Sequence, residues 1–151
     1  NIRICRICIF VYLRWIRIFA AAPMDPISDF LIQIKNGYRA GKSSVIVPYS
    51  IIKEKIARVL EGKQYLADFE KKGRKIKKFL EVRLRYDGKI PALTEVRRVS
   101  KPSRRVYVSK DRIKPVRQGF GFAIISTSKG LMTGEEALKA GLGGEVIAEF
   151  W

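Results

Sequence analysis

Histidine is absent from all 151 residues, and cysteine occurs only as Cys5 and Cys8. The chain therefore has no catalytic imidazole and no imidazole metal ligand. Cys5-x-x-Cys8 has half the spacing of a zinc site, but no second Cys or His pair completes four ligands, so neither a metal site nor a redox centre is expected. Acids are scarce too. Fourteen Asp and Glu stand against 31 Lys and Arg, a net charge of +17 that draws the chain to nucleic acid or to an anionic membrane surface. No long apolar run is free of charge. Residues 1–22 are rich in Ile, Phe, Val, Leu and Trp, yet Arg3, Arg6, Arg14 and Arg17 interrupt them, which disfavours a membrane span and a secretory signal. A complete glycine fingerprint for nucleotides is missing as well, because Gly119-x-Gly121 lacks both a third glycine and a Gly-Lys-Ser/Thr ending. Ser128-Lys129 is a poor nucleophile–base pair, since adjacent residues on a strand would point to opposite faces. No enzymatic activity and no cofactor are expected.

The apolar share of 47% is enough to bury a core, in one compact domain or two small ones. Composition breaks at Pro23-Met24, so residues 1–23 are set apart as an atypical extension. They read as an upstream addition to the folded protein, with an organellar transit peptide and an amphipathic surface anchor as the alternatives.

From Asp25 onward the pattern predicts an α+β protein. Asp25 caps a helix that begins at Pro26, with Ile27, Phe30, Leu31 and Ile34 on one face and Asn36-Gly37 as its end. Val45–Val47 is a short strand. Ser50 caps a second helix, with Ile52, Ile56, Val59 and Leu60 inward and Lys53, Glu54, Lys55, Arg58 and Glu61 on a solvated face. Tyr65–Glu70 and Leu80–Tyr86 read as a hairpin whose tip holds Lys71, Lys72, Arg74, Lys75, Lys77 and Lys78 around Gly73. Asp87-Gly88 and Pro91 mark a boundary, giving an N-terminal α/β unit at 24–90 and a β-rich unit at 91–151. Strands are expected at Thr94–Val99, Arg105–Val108, Phe120–Ile125 and Glu145–Trp151. Thr133-Gly134-Glu135-Glu136 forms a capping box for a short helix that ends at Gly141 and packs Ala137, Leu138 and Leu142 under the sheet.

Several blocks, taken in order, resemble one family. They are Met24-Asp25-Pro26-Ile27-Ser28-Asp29, Ile34-Lys35-Asn36-Gly37, Val99-Ser100-Lys101-Pro102, Arg105-Val106-Tyr107, Ser126-Thr127-Ser128-Lys129-Gly130-Leu131-Met132-Thr133 and Gly141-Leu142-Gly143-Gly144-Glu145-Val146. From Met24 to Trp151 the chain resembles small-subunit ribosomal protein eight of the bacterial type. That resemblance implies a two-domain protein of the cytoplasmic ribosome, or of an organellar one if residues 1–23 are a transit peptide. It also implies binding to the central domain of 16S rRNA early in assembly, mainly through the C-terminal half. Neighbouring small-subunit proteins, ribosomal protein five among them, are the implied protein partners.

The candidate RNA-binding residues are Ser126, Thr127, Ser128, Lys129, Tyr107, Arg105, Gly143, Gly144, Glu145, Lys35 and Asn36. Small hydroxyls suit an A-form helix, whose shallow minor groove displays 2′-hydroxyls and base edges, and the two glycines let backbone approach closely. Tyr107 either stacks on a base or packs on the core. Glu145 either accepts from a base amino group or caps its turn. At Ser103-Arg104 the chain departs from the family's glycine–hydrophobic step. The readings in competition with RNA are a generic cationic nucleic-acid binder and a membrane-surface protein.

Overall fold

The computed structural model describes residues 25–73, 78–88 and 90–151. The extension at 1–23 and the tip residues Arg74, Lys75 and Lys77 lie outside the described residues. Helix α1 (Pro26–Arg39) starts as its sequence predicts, because the Asp25 carboxylate accepts the Ile27 N–H at 3.3 Å and the Ser28 hydroxyl at 2.8 Å, with proline at the first turn. Phe30 and Ile34 on its apolar face are fully buried. Asn36-Gly37 does not end it. The helix continues to Arg39, and Gly37 is buried where an added Cβ would lie 2.6 Å from Val45 Cγ2 and 2.9 Å from Leu84 Cδ1. That glycine serves close helix–sheet packing rather than a stop.

Strand β1 (Ser44–Pro48), helix α2 (Ile51–Gly62) and the hairpin β2 (Leu66–Lys72)–β3 (Phe79–Leu84) complete the first unit. Its sheet is antiparallel in the order β1-β3-β2. Ser50 stands at the N-cap of α2 without a side-chain capping bond. Lys53 is not on the solvated face: it is only 6% exposed, and its ammonium donates to the Pro48 carbonyl at 3.2 Å. Burial lowers its pKa, and the nearby Asp29 charge opposes that shift.

After the two-residue ribbon β4 (Tyr86–Asp87)–β5 (Ile90–Pro91) comes the second sheet. It holds β6 (Val96–Arg98), β7 (Tyr107–Val108), β8 (Phe122–Thr127), β9 (Gly130–Thr133) and β10 (Gly144–Phe150). Its order is β6-β10-β8-β9, and β7 pairs with β10 beyond β6. Strand β9 escapes sequence reading because its four residues fall inside a block rich in turn-formers. Helix α3 (Gly134–Lys139) carries the predicted capping box, with Thr133 Oγ1 accepting the Glu136 N–H at 3.3 Å and Glu136 Oε2 accepting the Thr133 N–H at 2.9 Å. Of its expected inward residues Ala137 is buried, while Leu138 is 48% exposed because it lies on the outer side of a helix less than two turns long.

One apolar cluster joins the two sheets, running from Phe30, Ile34 and Leu60 through Leu80 and Val82 to Phe122, Ile124 and Phe150. The Phe122 and Phe150 rings stack at 5.2 Å. Val116, Ala123, Ile125, Ala137 and Val146 form a second, smaller cluster. Two ionic ties also link α1 to the second sheet's region: Asp25 with Arg98, and Lys35 and Arg39 with Glu95. Both helices and sheets are therefore present in an α+β arrangement, and the N-termini of α1 and α2 are brought against one end of β8 and β10.

Candidate nucleic-acid interface

A cleft of about 510 Å³ opens where those elements meet. The α1 and α2 starts supply Asp25, Ser50, Lys53 and Lys55, while the second sheet supplies Arg98, Ser100, Arg105, Ser126 and Glu145. Strand register explains the sheet side. Tyr107 is opposite Glu145, Glu145 is opposite Ser126, and Ser126 is opposite Leu131. Directly paired residues project to the same face, so these four side chains form a row across β7, β10, β8 and β9, roughly 14 Å long at ~4.8 Å per strand. Tyr107 is 69% exposed, which decides against a core role for it.

Glu145 neither caps a turn nor lies free. Ser100 Oγ, itself 2% exposed, donates to Oε1, and Arg105 Nη1 lies 2.8 Å from Oε2. The hydrogen bond that Arg105 donates to Glu145 holds the guanidinium's pKa above its ordinary value. Asp25, the other carboxylate at the cleft, is engaged by Arg98, whose Nη1 also donates to Ser28 Oγ at 3.2 Å. Both negative charges in the lining are thus paired, and Lys53, Lys55 and Lys101 leave the cleft positive in balance.

Ser126-Thr127-Ser128-Lys129-Gly130 is the β8–β9 hairpin. Thr127 pairs with Gly130, so Ser128 and Lys129 are the turn itself, both exposed. They are adjacent in a turn and not on a strand, which corrects the strand placement expected of Ser128-Lys129. The Thr127 hydroxyl is committed internally, donating to the Gly130 carbonyl at 3.0 Å and accepting the Lys129 N–H at 3.2 Å. Gly130, at φ +121°, has the conformation the turn requires.

Gly143 and Gly144 are needed by the protein's own backbone. A Cβ on Gly144 would come within 2.1 Å of the Ser126 carbonyl oxygen, and one on Gly143 within 2.6 Å of that of Val108. Near them, Lys101 and Arg104 exchange backbone hydrogen bonds of 3.0 Å around Pro102-Ser103, a tight turn that needs no glycine and leaves Arg104 and Arg105 exposed. Lys35 and Asn36 are not part of the cleft. At ~1.5 Å per residue they lie roughly 13–15 Å along α1 from Pro26, and Lys35 is paired with Glu95. Of the basic hairpin tip, Lys72 is 3.1 Å from Glu70 and also pairs with Glu81, and Lys71 sits 4.1 Å over the Tyr49 ring.

Sequence reading missed Arg98, Ser100 and Lys53 as contributors. Ser100 lies in a recognisable block, but nothing local shows that it reaches Glu145 across 45 positions. Among the described residues no helix is long and apolar enough to cross a membrane, and no three His, Cys, Asp or Glu side chains group as metal ligands.

The family model described as Ribosomal protein S8 matches residues 25–151. The small ribosomal subunit protein uS8 of Dictyoglomus turgidum is 48% identical over 127 residues, which is 84% of this chain and 97% of the relative. That of Vibrio cholerae is 47% identical over 123 residues, 82% and 94% of the two chains, and that of Mycoplasma mobile 42% over 127, 84% and 96%. The capped α1, the Ser126–Gly130 hairpin and the Glu145 strand all fall within the matched span, and the chain belongs to the ribosomal protein S8 family.

Proposed function

We propose that the protein is a structural constituent of the small ribosomal subunit, a primary binder of the 16S rRNA central domain that helps assemble the subunit platform. The observation that carries this reading is the row Tyr107–Glu145–Ser126 beside the exposed Ser128-Lys129 turn, at the edge of a cleft whose carboxylates are already paired. Residues 91–151 form the main RNA-binding unit, and residues 24–90 buttress it. The extension at 1–23 is not needed for binding.

In this reading Ser128 and Lys129 meet ribose and phosphate, and Tyr107 stacks on an unpaired base. Arg105 supplies charge at the rim, and Ser126 adds a hydroxyl. Thr127 sets the turn that aims Ser128, Gly143 and Gly144 keep β10 close to its neighbours, and Glu145 orients Arg105. Lys35 and Asn36 lie outside this contact. The assembled position is on the ribosome, with ribosomal protein five as a neighbour. Affinity should fall with salt at a log–log slope of several units, about 0.7–0.9 per phosphate contacted. Gel-shift titration against a 16S central-domain transcript, with an unrelated duplex of equal length as competitor, tests this. Preference for the transcript supports the reading, and equal affinity for both overturns it.

A further inference from the structure

The cleft uses one face of the second sheet, and the opposite face carries a feature that the proposed function leaves unused. Ile125 and Val146 are register partners one position away from the Ser126–Glu145 pair, so their side chains project to the other side. On that side Ile113 and Val116 pack against Ala123, Ile125 and Val146, which fixes the segment from Lys110 to Phe120 to the back of the sheet. The segment holds Lys110, Arg112, Lys114 and Arg117 against one acid, Asp111. None of these four cations is in an ion pair among the described residues, whereas nine other cations are.

The segment ends in a loop of unusual backbone. Arg117, Gln118 and Gly119 have φ of 48°, 57° and 102°, three successive left-handed residues of which only one is glycine. Hydrogen bonds hold the loop at its base, where the Val116 carbonyl accepts the N–H of Gly119 at 3.0 Å and of Gly121 at 3.2 Å. Gly121 is pressed onto the sheet, since a Cβ there would lie 2.4 Å from the Phe150 carbonyl oxygen. Arg117 rests 4.7 Å above the Trp151 ring, beside a groove of about 240 Å³ that also includes Arg97 and Glu149. Glu149 is the one acidic side chain lining the groove and lies opposite Arg97 in the strand register. The outcome is a Phe120 side chain that is 84% exposed, the most exposed large apolar residue described, held outward from a fixed base at the end of the segment that carries the four cations.

We infer that this segment is a second RNA contact, with Phe120 as a stacking platform and Arg112, Lys114 and Arg117 on phosphates. Cations without ion-pair partners on a segment that ends in one exposed aromatic ring suit a nucleic acid, whose bases offer a π-face and whose backbone releases a condensed counterion for each phosphate a cation neutralises. The inference rests on the RNA-binding reading and extends it: the protein is a plate gripped by RNA on both sides, able to hold two segments of one rRNA at a fixed distance. Linked contacts raise affinity only for an RNA that reaches both.

The test uses the full chain and two probes: a short rRNA helix bound at the Ser128 face, and the complete central-domain transcript. Phe120→Ala should leave affinity for the short helix unchanged and weaken binding to the transcript by about tenfold, in line with the loss of one stacked base. Arg112→Ala/Lys114→Ala should lower the salt slope on the transcript by about 1.5 and leave it unchanged on the short helix. Equal losses on both probes, or none on either, overturn the second contact while the first stands. A wild-type protein that does not prefer the short helix over an unrelated duplex removes the underlying reading and this one with it. Replacing Phe120 by the photocrosslinker p-benzoylphenylalanine gives an independent readout in assembled subunits. Crosslinks to RNA support the assignment, and crosslinks to a protein alone overturn it.

Discussion

Arg105, two residues before β7, and Glu145 of β10 grip each other at 2.8 Å, with the buried Ser100 hydroxyl holding the carboxylate's second oxygen. In a chain with so few acids, this one stands in the middle of the candidate RNA surface. Its geometry makes it a clamp that sets the direction of a cation. Glu145→Ala leaves the Ser100 donor buried without a partner, at a loss of about 1–3 kcal/mol. Glu145→Gln retains an acceptor and should lose less. Urea unfolding should rank the two in that order, and RNA titration should show weaker preference for the central-domain transcript with undiminished affinity for an unrelated duplex.

The hairpin separates two neighbouring hydroxyls by role. Thr127 Oγ1 bonds Gly130 and Lys129, whereas Ser128 is exposed. Thr127→Val should therefore destabilise the fold by about 0.5–1.5 kcal/mol, the net value of an internal hydrogen bond. Ser128→Ala should leave the unfolding midpoint in place. Thermal melts of the two single variants check this, and the reverse pattern would mean that the turn is held some other way.

Two glycines in helices make a matched pair. Ala is favoured over Gly by roughly 1 kcal/mol in a helix interior. At Gly62, the last residue of α2, nothing lies within 4 Å of an added Cβ, so Gly62→Ala should be neutral or stabilising. At Gly37 the added methyl meets Val45 and Leu84 inside 3 Å, and the strain should outweigh propensity, with a net loss of about 1–3 kcal/mol. Chemical denaturation of both variants measures the difference.

Stability should fall at both ends of the pH scale for separate reasons. A hydrogen bond from Lys35, its charge, a backbone N–H from Val96 and the Arg39 charge hold the Glu95 carboxyl below its ordinary 4.5. A lowered carboxylate supports the fold above its unfolded value, and that support is lost as pH falls through the folded one. Glu95→Gln should accordingly flatten the decline of the urea midpoint below about pH 4.5. At the alkaline end, burial pushes the Tyr38 phenol up to about 12, with the Arg85 N–H opposing and Tyr86 adding to the rise. A raised group supports the fold fully below its unfolded value of 10 and loses that support as pH climbs through 12. Burial raises the Tyr86 phenol as well, so ultraviolet titration should show late phenol ionisation that is reduced, with its part near pH 12 lost, in Tyr38→Phe.

Much of this architecture is legible locally. Asp25 with Pro26, the Thr133–Glu136 box and the alternation in β3 each carry their signal within a few residues, and each element forms where that signal stands. What failed was the reading of residues whose role is set from far away. Gly37 resembles a helix stop in sequence, but it is small because Val45 and Leu84 press on it. Lys53 falls on the polar side of a helical wheel, yet the Pro48 carbonyl and the surrounding chain enclose it. The hairpin block was recognisable as a motif, whereas the inward turn of Thr127 and the clamp on Glu145 depend on strand register, which no local pattern reveals.

The central claim is that the exposed Ser128 turn and Tyr107 discriminate the cognate rRNA, and a competition titration of Tyr107→Ala/Ser128→Ala tests it most directly. Losing a stacked base and a hydroxyl contact removes about 1–3 and 0.5–3 kcal/mol. The ratio of affinities for the central-domain transcript and an unrelated duplex should therefore drop by about tenfold or more, with the thermal midpoint unchanged. A folded double variant with the wild-type ratio would contradict the account.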